Sequence, residues 1–217
     1  MTGAAIPRDW PLDLIDWKRR ILALYAAARS GGGDPAALAA FRRARDELFA
    51  THPQSPIPAA ERARFTGLDH FPHRPDLRGE APLEPDGDDP EAVFELVIPS
   101  STGEPMRFRR VGIVRPTLHG VRVSLAVYWL EAYGGGLFLP FRDALAGRET
   151  YGGGRYLLDT VKGADLGTSA DGERLVLDFN YAYNPSCAYD PTWSCPLAPP
   201  ENRIAVPVEA GERAPAH

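Results

Sequence analysis

At 217 residues, 44% hydrophobic and 24% charged, the chain can bury one substantial core, and its composition is neither that of a disordered segment nor that of a fibre. A formal charge of −5 runs against a nucleic-acid partner, which requires a basic field, although Arg107, Arg109, Arg110, Arg115 and Arg122 make a local basic strip. No apolar run approaches the ~18 residues of a membrane span and the first residues lack the apolar centre of a signal peptide, so the expectation is a cytoplasmic protein without membrane contact.

In chain order, Leu14, Trp17, Ile21, Leu24 and Ala28 recur at helical spacing and predict an amphipathic helix over residues 11 to 29. Gly31, Gly32 and Gly33 end it. Asp34 and Pro35 then supply a cap oxygen and a preset first turn for a second helix reaching Thr51, whose stripe is Leu38, Phe41, Arg45 and Leu48. Residues 53–91 are rich in proline and read as a wrapping segment with one short helix near residues 59–65. His70 and His73 lie three apart there, but with no third ligand in reach of the pattern, no metal site is assigned.

Beyond residue 92 the period changes from helical to alternating. Runs at 92–99, 106–115, 121–131, 137–141, 154–161, 174–183 and 203–208 are bounded by Gly, Pro, Ser or Asp and predict six or seven antiparallel strands. Within 121–131, Val121, Val123, Leu125, Val127 and Trp129 alternate onto one face, which is expected to be the buried one, with Arg122, Ser124 and Tyr128 on the other. The predicted organisation is a helical region (1–52), the Pro-rich segment (53–91) and an antiparallel β domain (92–217) in one unit. In fold class this is α+β: two N-terminal helices packed on a bent antiparallel β-sheet or barrel.

Residues 151–202 hold the densest chemistry. Strand alternation over 175–184 puts Asp178, Asn180 and Asn184 on one polar face, a pattern suited to gripping a polar ligand or to facing solvent. Gly152, Gly153 and Gly154 precede Arg155, so an anion nest and a plain hairpin turn are both open. Cys187 and Cys195 are compatible with a disulfide, a metal pair or a catalytic thiol; two buried reduced thiols are the ordinary outcome. Glu201 and Asn202 offer a general base with an orienting amide, or a carboxylate that merely pairs with an arginine.

The succession FRDALAGRETYGGGRYL, LDFNYAYNPSCAY, CPLAPPENR and VPVEAGE resembles the bacterial and archaeal family catalogued as domain of unknown function 1684, over about residues 141–212 and more weakly through SPIPAAERARFTGLDHF. The resemblance implies no activity, substrate or cofactor. It does mark Arg155, Tyr156, Asp178, Asn180, Asn184, Cys187, Cys195, Glu201 and Asn202 as signature positions. With the residue-level reading, this gives Asp178 and Glu201 as catalytic candidates and Arg155, Tyr156, Asn180, Asn184, Cys187 and Asn202 as ligand-binding candidates.

The function expected is that of a pocket protein for a small polar or anionic molecule, with acid–base turnover open to it. The rival is a non-catalytic interaction or scaffold protein whose signature loop is a structural plug. A flavin could sit in a small barrel, but no dinucleotide fingerprint is present. The cofactor is therefore unknown, and the expected partner is a small molecule rather than a nucleic acid or a membrane.

Overall fold

The computed structural model describes residues 10–85, 94–103, 105–131 and 134–215. Helix α1 spans Trp10–Ser30 and α2 spans Pro35–Thr51, close to the bounds read from the sequence. Asp34 caps α2 by accepting from the Ala36 amide at 2.8 Å, which satisfies one of the amide groups a helix start leaves open. The predicted stripe of α2 is buried in full. On α1, Ile21, Tyr25 and Ala28 are buried, while Leu14, Trp17 and Leu24 are half-buried.

The strands are β1 (Arg78–Pro82), β2 (Phe94–Pro99), β3 (Pro105–Val114), β4 (Thr117–Leu118), β5 (Val121–Arg122), β6 (Leu125–Leu130), β7 (Leu137–Phe141), β8 (Arg155–Asp159) and β9 (Arg174–Asp178). Five form an antiparallel sheet in the order β2-β3-β6-β7-β8; β1 pairs with β9, and β4 with β5. Because β2 and β8 do not pair, the sheet is open, and of the two predicted forms it is the sheet rather than the barrel. It bends at a bulge between Arg110 and Gly112. A Cβ at Gly112 would stand 2.6 Å from the Glu84 carbonyl oxygen, so the kink depends on a residue without a side chain.

The sheet is the middle layer of the molecule. One face carries Leu125, Val127, Leu139 and Phe141 into a core shared with Leu77, Leu177, Phe179 and Val208. The other carries Ala126, Tyr128 and Phe138 into a second core with Ile21, Tyr25, Leu38 and Phe41 of the helices. This corrects the one-sided reading of residues 121–131. The alternation is real, but Leu125 to Tyr128 are buried on both faces, whereas Val121 and Trp129 are exposed.

Three further expectations change. The run 174–183 stops being a strand at Asp178, because its carboxylate accepts from the Asn180 amide at 3.0 Å and draws residues 179–181 into a 3-10 turn. The polar face expected over 178–184 therefore does not exist, and all of its members are buried. Residues 203–208 form only a single bridge, Arg203 with Arg142, and Pro207 cannot donate to a ladder. The Pro-rich segment does more than wrap: it contributes β1 and buries Phe71, Leu77 and Ala81. Its short helix is the 3-10 turn Arg62–Arg64, and its residues 86–91 lie outside the described residues, as does the first residue pair of the strand read from 92.

Candidate functional site

The signature residues hold the fold's interior together through polar side chains. The turn before β8 closes with the Gly154 amide on the Tyr151 carbonyl at 3.0 Å. Gly154 has φ +96°, and a Cβ on it would stand 2.7 Å from the Ala198 Cβ, so glycine is required there. This turn sends Arg155 inward, where it is 1% exposed. Its guanidinium donates to the carbonyls of Val208 (2.8 Å), Ala210 and Glu212 (3.0 Å), with Asp143 at 3.7 Å; only its Nε has no partner. Burial pulls it down to about 10, partly offset by Asp143 and Glu212, so it stays charged at neutral pH.

Two signature asparagines act as substitute peptide groups. Asn180 accepts from the Arg74 amide and donates to the Arg74 carbonyl, both at 2.8 Å, and donates also to Asp178. Asn202, wholly buried, accepts from Ala126 N at 2.8 Å and donates to Ala126 O and Pro140 O at 2.9 and 2.6 Å. It fills the gap where β6 and β7 separate beside Pro140, whose nitrogen has no hydrogen to give.

Asn184 differs from these. Its amide nitrogen donates to Arg213 O at 2.7 Å, but its Oδ1 is buried without a partner. Beside it, the Tyr183 hydroxyl is likewise buried and unpartnered, and its ring lies under the Arg45 guanidinium at 5.1 Å. Arg45 in turn meets Glu212 at 2.7 Å, and Glu212 accepts from Asn184 N and the Tyr189 hydroxyl. Burial would raise the Glu212 carboxyl, but Arg45, His70 and these hydrogen bonds bring it below its ordinary value.

Tyr183, Asn184 and Arg45 border a cavity of about 290 Å³. Its walls include Leu14, Trp17, Ile21 and Tyr25 of α1, Phe49 at the end of α2, and Pro185, Trp193, Ser194 and Cys195 of the signature loop; Lys18 and Lys162 also line it. Among the described residues three cationic side chains line it, of which Arg45 is paired with Glu212 and Lys162 with Asp159 at 3.3 Å. Among the described residues no carboxylate lines it.

Of the eight candidates read from the sequence, Asn184 lines this cavity. Asp178 is elsewhere, 2% exposed, with Arg78 at 3.6 Å, beside a recess of only about 10 Å³. Burial raises its carboxyl against the opposing pull of Asn180 and Arg78. Glu201 is exposed and accepts from the Tyr128 hydroxyl at 2.8 Å. Tyr156 is buried, its hydroxyl on Pro196 O at 2.6 Å. Cys187 stands behind Cys195, outside the lining. The basic strip is answered by acids, with Arg109 on Glu131 and Arg115 and Arg122 on Glu84.

A family's sequence model, described as "Protein of unknown function (DUF1684)", matches residues 63–213. The chain belongs to that family. It is also similar to the solution NMR structure of an uncharacterized protein of Haloarcula marismortui, with 37% identity, a TM-score of 0.58, and coverage of 82% of this chain and 92% of that one. No curated protein matches. The DUF1684 match includes the cavity wall at 162–195 but neither α1 nor α2, so the cavity joins family residues to helices outside the matched span. Its helical residues carried no chemical signal in the sequence. By helical spacing Lys18 falls off the apolar stripe of α1 and Arg45 falls within that of α2; their convergence on the cavity that Tyr183 also lines becomes visible once the helices are packed.

Proposed function

We propose that this DUF1684 protein binds a small anionic molecule with an apolar body in the cavity between the helices and the signature loop. The observation that carries the reading is the lining itself: Lys18, with Lys162 and Arg45 that are also held by Asp159 at 3.3 Å and Glu212 at 2.7 Å behind them, and no carboxylate in the lining among the described residues, over walls of Trp17, Ile21, Phe49 and Trp193. Cationic side chains at the border of a mostly apolar recess favour an anionic ligand. Two details support it. Asn184 Oδ1 and the Tyr183 hydroxyl lack protein partners, and buried polar atoms without partners are costly unless something else satisfies them. The reading is one of binding, because Asp178 and Glu201, the acid–base candidates, are not part of this lining.

Native mass spectrometry of the purified protein, followed by thermal-shift screening of aromatic and aliphatic carboxylates and phosphates, tests it. The expected result is a stabilising anion whose effect falls at least tenfold in concentration terms in Lys18→Glu and Lys162→Glu, with the fold intact. Equal stabilisation of parent and both variants overturns the reading.

A second reading has its own observation. Arg155, Asn180 and Asn202 spend their polar atoms on backbone groups, which favours a structural plug for those three positions and a scaffold role if no ligand is found.

A further inference from the structure

The chain has two cysteines, both free and buried. The loop between them folds back on itself: Asp190 Oδ1 accepts from the Thr192 amide at 2.9 Å and its hydroxyl at 2.7 Å, and the Trp193 amide returns to Asp190 O at 3.2 Å. As a result the Cys187 amide donates to Cys195 Sγ at 3.4 Å. The sulfur of Cys187 is only three bonds from that nitrogen, so the two sulfurs share one small space. Each is held there from outside the loop. The Cys195 amide and carbonyl bond to Ser101 at 3.1 and 2.8 Å, and the Tyr151 hydroxyl lies 3.7 Å from Cys187 Sγ. Cys195 also lines the cavity, which gives a small oxidant a route to an otherwise buried pair.

We propose that Cys187 and Cys195 form an oxidant-responsive dithiol that closes reversibly to a disulfide at the cavity wall, with hydrogen peroxide or another small peroxide as the oxidant. The Cys187 thiolate attacks one peroxide oxygen; the O–O bond breaks and the departing hydroxide takes up a proton as water, leaving a sulfenic acid. The Cys195 sulfur then attacks the Cys187 sulfur. The S–S bond forms, the S–O bond breaks, and the leaving hydroxide takes the Cys195 proton as a second water. Two thiols and one peroxide thus give one disulfide and two waters. The division of labour follows from the close approach of the two thiols, which the hydrogen bond from the Cys187 amide to Cys195 Sγ enforces. It lowers Cys187 to about 6, helped by Ser101 and Tyr151 and opposed by burial, while it raises Cys195. The lower-pKa thiol is the nucleophile and its neighbour resolves. None of this depends on what the cavity binds.

The test is peptide mapping of the intact protein after graded peroxide. The expected product is a linked Cys187–Cys195 peptide pair, two hydrogens lighter than the reduced form and restored by dithiothreitol. In Cys195→Ser, dimedone should label Cys187 after peroxide; in Cys187→Ser it should label nothing. A wild-type protein that goes to sulfinic acid without the linked pair, or that cross-links only between molecules, overturns the proposal even if both variants fail to fold. So does dimedone labelling confined to Cys195.

Discussion

Arg45 and Glu212 meet at 2.7 Å across 167 residues of sequence, with side chains 6% and 2% exposed. Three elements converge on this ion pair, because Glu212 also takes the Asn184 amide and the Tyr189 hydroxyl. Glu212→Gln keeps the shape but turns an amide group toward those donors and leaves a guanidinium buried without its charge partner. The expected loss is on the order of 3–5 kcal/mol, read from urea melts. A loss of under about 1 kcal/mol, the size of an exposed pair, would count against the ion pair as a keystone. The double replacement Arg45→Met with Glu212→Gln should recover part of the loss, since it removes both charges and keeps an acceptor for the Asn184 amide and the Tyr189 hydroxyl.

Acid should weaken the protein in two stages. His70 is lowered from 6.5 chiefly by burial, with Arg42 and Arg45 adding to the effect and Glu212 opposing it. The unfolded chain therefore binds a proton there before the folded one does, and stability falls as pH drops below 6.5. Glu212 sits below its ordinary 4.5, so its contribution, complete above that value, is lost as pH falls through its folded value. Melting temperature measured against pH should show both limbs. His70→Gln should erase the upper one and leave the lower one in place though weakened, since His70 also helps hold Glu212 down; a parent curve that is flat as pH passes below 6.5 would contradict the assignment.

Asp178→Asn should be close to neutral. Asp178 Oδ1 accepts from Asn180 N and Nδ2, which an asparagine oxygen can do as well, and the Arg78 side chain opposite is 31% exposed and free to reorient. Burial already disfavours the charge, so removing it offsets the lost attraction. The expected change is within about 1 kcal/mol, and a loss of several kcal/mol in a chemical melt would show that the Arg78 contact matters more than its exposure suggests.

Asn202→Asp should be severe. The new carboxylate would face Ala126 O and Pro140 O, where the amide now donates at 2.9 and 2.6 Å. Two carbonyls lose their donor and a charge is buried, at about 1–3 kcal/mol for each unsatisfied group and more for the charge. Hydrogen exchange at Ala126 should accelerate with the global stability loss. An Asn202→Asp protein that melts with the parent would mean that water replaces the amide between β6 and β7.

The sequence made much of the fold readable. Residues such as Leu38, Phe41 and Leu48, or Leu125 and Val127, are placed by local periodicity, and α2 begins where Asp34 and Pro35 say it should. Periodicity alone could not tell that β6 has a core on both sides, because burial of the second face depends on distant helices. Nor could it foresee the end of β9. Asp178 reads as a strand residue by alternation, yet its oxygen finds a backbone amide two residues on. The candidate site was half legible. The signature loop was found, but the residues opposite it, Lys18 and Arg45, are ordinary helix charges until α1 and α2 fold against Tyr183. Arg155, Asn180 and Asn202 were recognised as polar and unusual, while their use on backbone carbonyls and amides is a matter of three-dimensional placement.

The span between Arg45 and Glu212 also fixes an order of events in time. Synthesis delivers α2 early, and a helix whose inward stripe contains a cation has no partner for it until residue 212 has been made. Contacts of such separation form late, since a long loop must close before any of them contributes. A nascent or truncated chain lacking residue 212 would therefore expose the apolar sides of α1 and α2 around an uncompensated guanidinium, a state prone to capture by chaperones or proteases. The same residue that completes the ion pair receives Arg155 through its carbonyl, so one late arrival closes both cores together.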